Sequence, residues 1–363
     1  MKAEINLINV EDGDAIILML TDTNRKSLIL IDGGFKKYYP KLKRRLQEVL
    51  PKFDNKIDLL VCTHYDNDHL GGVENLLDDY HAAIGEIWIH KIDHSMSKTA
   101  EVLREKLRFV NDRIIETETL ENADTLKNIL AIERYRDLLR VVEKIKTYGL
   151  EIKITEAKHG DIFKKFPEFT AVGPSAEFYN SNLPALKEEA ILEDVKKDLE
   201  SKMIDRTILF EVINNVLPQK ILKQNPCDLL EKSSIKNGVS ATNMVSIVTM
   251  LKLGTKKFLF TGDSGIESFE KHTADWKKSL KDLFFLVVPH HGSKNNTSQE
   301  MLNIFNPVHS FVSGQGNFNR PSLMIEQCMK SKVRLKTFEV TNRIPETWYL
   351  SINEKGVVQR ILE

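Results

Sequence analysis

Short apolar runs punctuated by turn residues dominate the first ninety positions. Residues 3–10, 14–20 and 27–32 group Ile, Leu and Val between Asp/Gly and Asp/Thr/Asn breaks, and they read as three strands. Ile57-Asp58-Leu59-Leu60-Val61-Cys62 is aliphatic throughout but for Asp58, the mark of a buried strand, and Glu86-Ile87-Trp88-Ile89-His90 is another. Between them the period lengthens. Leu42, Leu46 and Leu50 recur every fourth position across 36–50, which predicts a helix, and a second helix is expected near 70–80. Alternation of strand and helix points to an α/β fold.

The pattern then breaks twice. Residues 97–147 read as two helical stretches, with Leu, Ile and Val at three- and four-residue spacing opposite charged positions. Strand character returns over 151–174. A further stretch, about 180–238, opens with a helix at 184–202 and ends in the polar run Lys232-Ser233-Ser234-Ile235-Lys236-Asn237-Gly238. Strands are expected again at 245–251, 257–261, 284–288, 309–313, 335–341 and 347–353. The chain is therefore divided into core 1–96, a helical insertion 97–150, core strands 151–175, a second and mostly helical insertion 176–238, and core 239–363.

Composition narrows this little. The 363 residues are 41% hydrophobic, enough for a sizeable core, and 52 Lys+Arg balance 52 Asp+Glu, so no global field favours nucleic acid or membrane. No apolar stretch reaches the length of a membrane span. Cys62, Cys227 and Cys328 are far apart, in no metal or redox spacing, and are expected to be buried free thiols in a reducing, cytoplasmic setting.

Chemistry concentrates in Thr63-His64-Tyr65-Asp66-Asn67-Asp68-His69-Leu70-Gly71-Gly72. Four metal-capable side chains fall within six residues where a buried strand gives way to a loop, a usual position for a site on a rigid scaffold. The spacing lets His64 and Asp66 converge on one ion while Asp68 and His69 turn to a second. The paired glycines allow a tight turn and close packing.

This segment resembles the metallo-β-lactamase family in the variant whose His-x-His-x-Asp-His carries Asp for the second His. Within that family the chain looks most like the ComEC-like group, the soluble hydrolase domain of a DNA-uptake protein. Asn9-Val10-Glu11-Asp12-Gly13-Asp14-Ala15, Leu30-Ile31-Asp32-Gly33-Gly34, Asn243-x-x-Ser246, Thr261-Gly262-Asp263 and Pro289-His290-His291-Gly292-Ser293-Lys294 carry the same resemblance in the family's order. It implies a four-layered αββα sandwich with two helical insertions and a two-metal site. On this reading Asp263 bridges the ions, His290 or His291 completes the second, and Asn243 stands where an imidazole is usual. His290 is taken as the ligand; His291 is then free to protonate a leaving group. Asp68 both ligates and orients the attacking water. Asp66 and Asn243 make the first shell rich in oxygen, which favours Mn²⁺ over Zn²⁺. Asp14 and Asp32 are expected to fix loops and ligand histidines rather than to react, and His90 and His159 to be ordinary core or surface residues.

The resemblance implies hydrolysis of phosphodiesters, with nucleic acid or a nucleotide as substrate. Ser293, Lys294, Asn317 and Arg320 are the candidate substrate contacts, Arg320-Pro321 replacing a His-Pro of the ComEC-like pattern. Segment 36–56 holds eight Lys/Arg against two Asp/Glu, with Tyr38 and Tyr39 among them. It could guide a phosphate backbone, although a solvated amphipathic helix explains it equally well. Three alternatives stay open: a cyclic-nucleotide or dinucleotide phosphodiesterase, a hydrolase of another ester or a lactone, and a binding module in a defence or regulatory complex. The insertions could serve as a lid, with Phe178, Tyr179 and Asn180 facing the site, or as a docking surface for a protein partner.

Overall fold

The computed structural model describes residues 1–90, parts of 140–148, 152–182, 225–233, 239, 241–272, 275–314, 320–344, 346–353 and 358–362. Most of the helical stretches expected at 97–147, the helix expected at 184–202, Asn317 and residues 234–238 of the polar run lie outside the described residues.

One mixed sheet is built from β1 (Lys2–Ile8), β2 (Ile16–Thr21), β3 (Lys26–Ile31), β4 (Ile57–Val61), β5 (Ile84–Trp88) and β6 (Lys153–Thr155). The second contains β7 (Phe169–Gly173), β8 (Val248–Leu253), β9 (Lys256–Phe260), β10 (Phe285–Val287), β11 (His309–Val312) and β12 (Thr337–Val340). The chain then returns to the first sheet through β13 (Thr347–Asn353) and β14 (Val358–Leu362). The strand orders are β14-β13-β1-β2-β3-β4-β5-β6 and β12-β11-β10-β9-β8-β7. In each, an antiparallel part (β13 to β3; β7 to β9) gives way to a parallel one (β3 to β6; β9 to β12).

The layers follow from which side chains alternate. Ile16, Leu18 and Leu20 of β2 and Ile29 and Ile31 of β3 meet Phe258 and Phe260 of β9, Phe285 and Val287 of β10 and Trp348 of β13 between the sheets. Their neighbours Ile17, Met19, Leu28 and Leu30 face the other way, onto Leu42, Leu46 and Val49 of the helix Tyr39–Val49 and onto Leu76 and Leu77 of the helix Val73–Tyr80. On the far side Met250, Leu259 and Leu286 pack against Leu302 and Phe305 of the helix Gln299–Phe305 and Ile325 of the helix Leu323–Lys330. Both sheets are thus covered on both faces, which explains runs too apolar for simple alternation. Three hydrophobic layers separate four layers of secondary structure, an αββα sandwich.

The described pieces of the second insertion are short helices, Ala176–Asn182 and Pro226–Ser233. In the first, Phe178 and Tyr179 are buried against Val245 rather than presented to a cleft. The second corrects the reading of the cysteines: Cys227 and Cys328 form a disulfide, with Cα atoms 4.6 Å apart, and only Cys62 of the three is a buried free thiol. The partners are 101 residues apart in sequence, so no spacing could reveal them; packing of two helices does. Disulfides belong mainly to oxidising compartments, and the argument from free thiols to a reducing one therefore falls. Among the described residues no helix is long and apolar enough to cross a membrane.

Candidate metal centre

The chemistry-bearing residues collect at one edge of the sandwich, just past the C-terminal ends of parallel strands, where α/β sheets place their ligands. Asp32 follows β3, His64 to His69 follow β4, Asp263 follows β9, and His290 and His291 follow β10. Two close approaches hold the first of these loops. A Cβ on Gly72 would lie 2.1 Å from the Gly33 carbonyl oxygen, and one on Gly13 would lie 2.3 Å from that of Asp68, so neither position admits a side chain. The Asp14 amide donates to the same Asp68 carbonyl at 3.1 Å.

After β10 the backbone does something rarer. His290 (φ 50°, ψ 52°), His291 (φ 55°, ψ 26°) and Gly292 (φ 76°) are consecutive left-handed residues. Each such non-glycine residue costs about 1–3 kcal/mol and persists only where its surroundings enforce it. Here the turn aims two adjacent imidazoles into one site.

All four histidines are held the same way, with Nδ1 tied to an oxygen. His69 Nδ1 lies 2.8 Å from Asp32 Oδ2, His64 Nδ1 3.0 Å from Thr63 Oγ1, His290 Nδ1 2.8 Å from Asn296 Oδ1, and His291 Nδ1 2.9 Å from Ser313 Oγ. The Thr63 hydroxyl donates to Asp32 Oδ2 at 2.7 Å, and the Ser313 hydroxyl donates to Asp14. Each hydroxyl oxygen is then left to accept from its imidazole. That places protons on Nδ1 and turns the four Nε2 atoms inward, the arrangement of metal-binding histidines.

They face Asp263. On its Oδ2 side lie His290 Nε2 at 3.2 Å and His64 Nε2 at 3.7 Å, and Asp66 approaches His64 Nε2 at 3.9 Å. On its Oδ1 side lie His69 Nε2 at 3.1 Å and His291 Nε2 at 3.7 Å, and Asp68 Oδ2 is 3.0 Å from His291 Nε2. Ligand atoms of His64, Asp66 and Asp263 fall within 4.8 Å of one another, as do those of Asp68, His69, Asp263 and His291. Asp263 belongs to both groups. Its backbone is fixed too: Ser246 Oγ accepts from its amide at 3.2 Å, and Asn296 Nδ2 donates to its carbonyl at 2.8 Å.

The electrostatics ask for a cation. Burial alone would raise the Asp263 pKa, yet the imidazoles of His290, His69, His291 and His64 hold it well below the usual carboxylate range. His69 moves well above its usual value: burial opposes its charging, but Asp263 and Asp32 outweigh that. His64 is held well below, first by burial and then by His69. Among the described residues none of Asp32, Asp68 and Asp263 pairs with a lysine or arginine. His64 Nε2, His69 Nε2 and Asp263 Oδ1 are buried without a hydrogen bond. Such groups are costly unless something satisfies them, and two divalent ions, one on each side of Asp263, fit this donor set.

The family model described as Metallo-beta-lactamase superfamily matches residues 16–160. The fold is that of the metallo-β-lactamase superfamily. The matched stretch carries His64 to His69; Asp263, His290 and His291 lie beyond it. No curated protein matches this sequence.

Several expectations change. His291, read as a free acid, joins Asp68 and His69 on the second side, while His290 sits on the first. Each side of Asp263 therefore has two imidazoles, and the first is less rich in oxygen than Asp66 and Asn243 suggested. Asn243 is buried with Nδ2 3.5 Å from Asp263 Oδ2 and 3.4 Å from His290 Nε2. As a ligand it would present Oδ1 after a half-turn of the amide. Ser293 and Lys294 are buried, at 1% and 2% exposure, as is Arg320. The basic residues of 36–45 are committed to partners: Lys36 to Glu74, Lys37 to Glu11, Lys43 to Asp79, Arg44 to Glu346, Arg45 to Glu48, and Lys41 to the Asn9 carbonyl. Tyr39 is buried and donates to Asp79, and Tyr38 lies under Lys37 and Lys41. These residues form a salt-bridged amphipathic helix.

Asn296, Ser313 and Thr63 were not singled out from sequence. Each acts through a neighbouring histidine, and a lone Asn, Ser or Thr carries no periodic or spacing signal. His90 is a core residue, 1% exposed, between Tyr65 and Tyr179, with ring centroids 5.6 and 4.9 Å away.

Proposed function

We propose that this protein is a two-metal hydrolase of phosphodiester bonds. The observation that carries the reading is the convergence of four Nδ1-anchored imidazoles, with Asp66 and Asp68, around the two oxygens of Asp263. Two divalent ions held there would lower the pKa of a water between them and offset charge on the attacked group. The protein's own residues do the rest. Asp32 and Ser313 keep His69 and His291 in the tautomer whose Nε2 can ligate. Asp68, with 21% of its side chain exposed against 1% for Asp263, is the member that reaches solvent. In this reading it orients the attacking water and carries its proton toward the leaving oxygen, the role first given to His291. Asp66 and Asn243 in place of imidazoles support Mn²⁺, although two imidazoles on each side narrow its advantage over Zn²⁺.

The phosphodiester part rests on the ComEC-like motifs. The pairing of the basic helix favours a second reading within that class, a small cyclic-nucleotide or dinucleotide substrate, because no unpaired basic strip among residues 36–45 is left to track a polymer. A metal-free binding module is disfavoured by the intact donor set.

Elemental analysis of the purified protein, with turnover in Mn²⁺, Zn²⁺ and chelator, tests the proposal. We expect about two ions per chain, as a two-metal site requires, and chelator-sensitive cleavage of an aryl phosphodiester. Nucleic acids and dinucleotides assayed in parallel separate the two substrate readings. A metal-loaded protein inert on every diester would sink the reaction class.

A further inference from the structure

Arg320 places a charged side chain in the interior. It is 3% exposed, and its Nε and Nη2 make no hydrogen bond. Among the described residues no carboxylate pairs with it. A buried cation without a partner is costly to keep. The unsatisfied atoms of His64, His69 and Asp263 face one another across the candidate metal centre, whereas the Arg320 guanidinium has no carboxylate facing it among the described residues.

Its place in the fold is tied to the metal centre at two points. The Arg320 carbonyl oxygen would lie 2.9 Å from a Cβ on Gly314, the residue after Ser313, whose hydroxyl holds His291. The adjoining Pro321 would lie 2.7 Å from a Cβ on Gly292, the residue after His291, and the Ser322 amide donates to the Gly292 carbonyl at 2.9 Å. Arg320 is thus anchored between the two loops that position one ligand histidine, on the side of Asp263 that includes Asp68.

Nε and Nη2 form one edge of the guanidinium. Together they are the fork that takes two oxygens of one carboxylate or phosphate in parallel hydrogen bonds. We propose that Arg320 is the anion fork of the substrate site, engaging two non-bridging oxygens of a phosphodiester beside the metal centre. The inference rests on the hydrolase reading and sharpens it: the substrate is an oxyanion before it reacts, so neutral lactones and simple esters are not its natural class. A lysine in this position would supply charge without the two-point geometry.

Binding separates this proposal from the activity. Metal-loaded wild type, Arg320→Met and Arg320→Lys are titrated calorimetrically with dimethyl phosphate, an anionic diester, and with neutral trimethyl phosphate, with metal content and thermal midpoint measured on each. The wild type is expected to bind the anion and not the neutral ester. Arg320→Met should weaken anion binding by at least about 30-fold, the order expected on truncating one partner of a desolvated charge pair, with metal content unchanged. Arg320→Lys, which retains the charge if Met disturbs packing, should recover only part of that loss. Anion binding equal in all three proteins overturns the proposal even if diesters are cleaved. Loss of metal from both variants also overturns it, by placing Arg320 in the scaffold of the ligands. Arg320-dependent anion binding without turnover of any diester upholds the fork and refutes the proposed reaction.

Discussion

The two sides of Asp263 have the same kind of donors and opposite relations to solvent. On the Oδ2 side His64, Asp66, His290 and Asn243 are all buried, at 6% exposure or less. On the Oδ1 side His69 and His291 are equally buried, but Asp68 keeps 21% of its side chain in water. Equal ligand chemistry therefore does not mean equal function. On the proposed reading the closed side would hold an ion, and the open side would admit water and substrate. His291 also helps to keep Asp68 ionised: burial would raise its pKa, but the His291 hydrogen bond and the nearby His69 lower it.

Substitutions can break this asymmetry in order of expected effect. Asp263→Ala removes the group common to both sides, and we expect loss of both ions and a fall in turnover on the order of 10⁴-fold or more. Retention of two ions by elemental analysis would show that the sides are independent. Asp68→Ala should empty or weaken only the open side, leaving about one ion per chain with turnover lost. Equal metal loss in Asp66→Ala and Asp68→Ala would erase the distinction. Ser313→Ala frees the His291 tautomer without removing a ligand and should cost about 10–100-fold in metal affinity or activity. A titration with a metal indicator reads it directly.

A smaller test addresses what lies behind the closed side. Burial first of all lowers the His90 pKa to about 4 from its ordinary 6.5. The folded state therefore prefers neutral His90, whose stabilisation is fully present above pH 6.5 and is lost as pH falls toward 4. The difference is worth about 3 kcal/mol. Metal-free His90→Phe should unfold with a shallower pH dependence over that window, and a slope unchanged from wild type would refute the assignment. The smallest effect is expected at the basic helix, where Lys37→Ala should alter stability by less than about 0.5 kcal/mol. A large loss of turnover in that variant would revive the nucleic-acid strip.

The sequence disclosed what the first sheet brings to this centre better than what the second sheet brings. Residues 64–69 supply His64, Asp66, Asp68 and His69 from a single loop, so their chemistry is concentrated where a reader can see it. The apolar strands before each ligand loop were equally visible, because strands covered on both faces leave long aliphatic runs. What escaped was long-range. Whether His290 or His291 reaches a given oxygen of Asp263 is decided by two left-handed residues, and nothing in a His-His pair encodes that. Asn296 and Ser313 work through single hydrogen bonds. The sequence left the basic helix open between a phosphate-guiding strip and a solvated face, because its partners Glu74, Asp79 and Glu346 are supplied by other parts of the chain. The disulfide joins positions too distant for any spacing rule, and β14 is a short closing strand with no signal of its own.

The inter-sheet core has a consequence beyond stability. His64 and His69 hang from the first sheet, and Asp263, His290 and His291 hang from the second, so the gap between the sheets is also the span across which the ion site must close. Phe260 and Val287, Ile31 and Val61 fill that gap immediately behind the ligand loops. Their volumes act as shims. Trimming one of them, as in Val61→Ala, would shift the facing ligands relative to each other while touching none of them, and the damage would be read as a change in metal affinity before any change in fold. In this architecture packing density sets the calibration of the reactive centre.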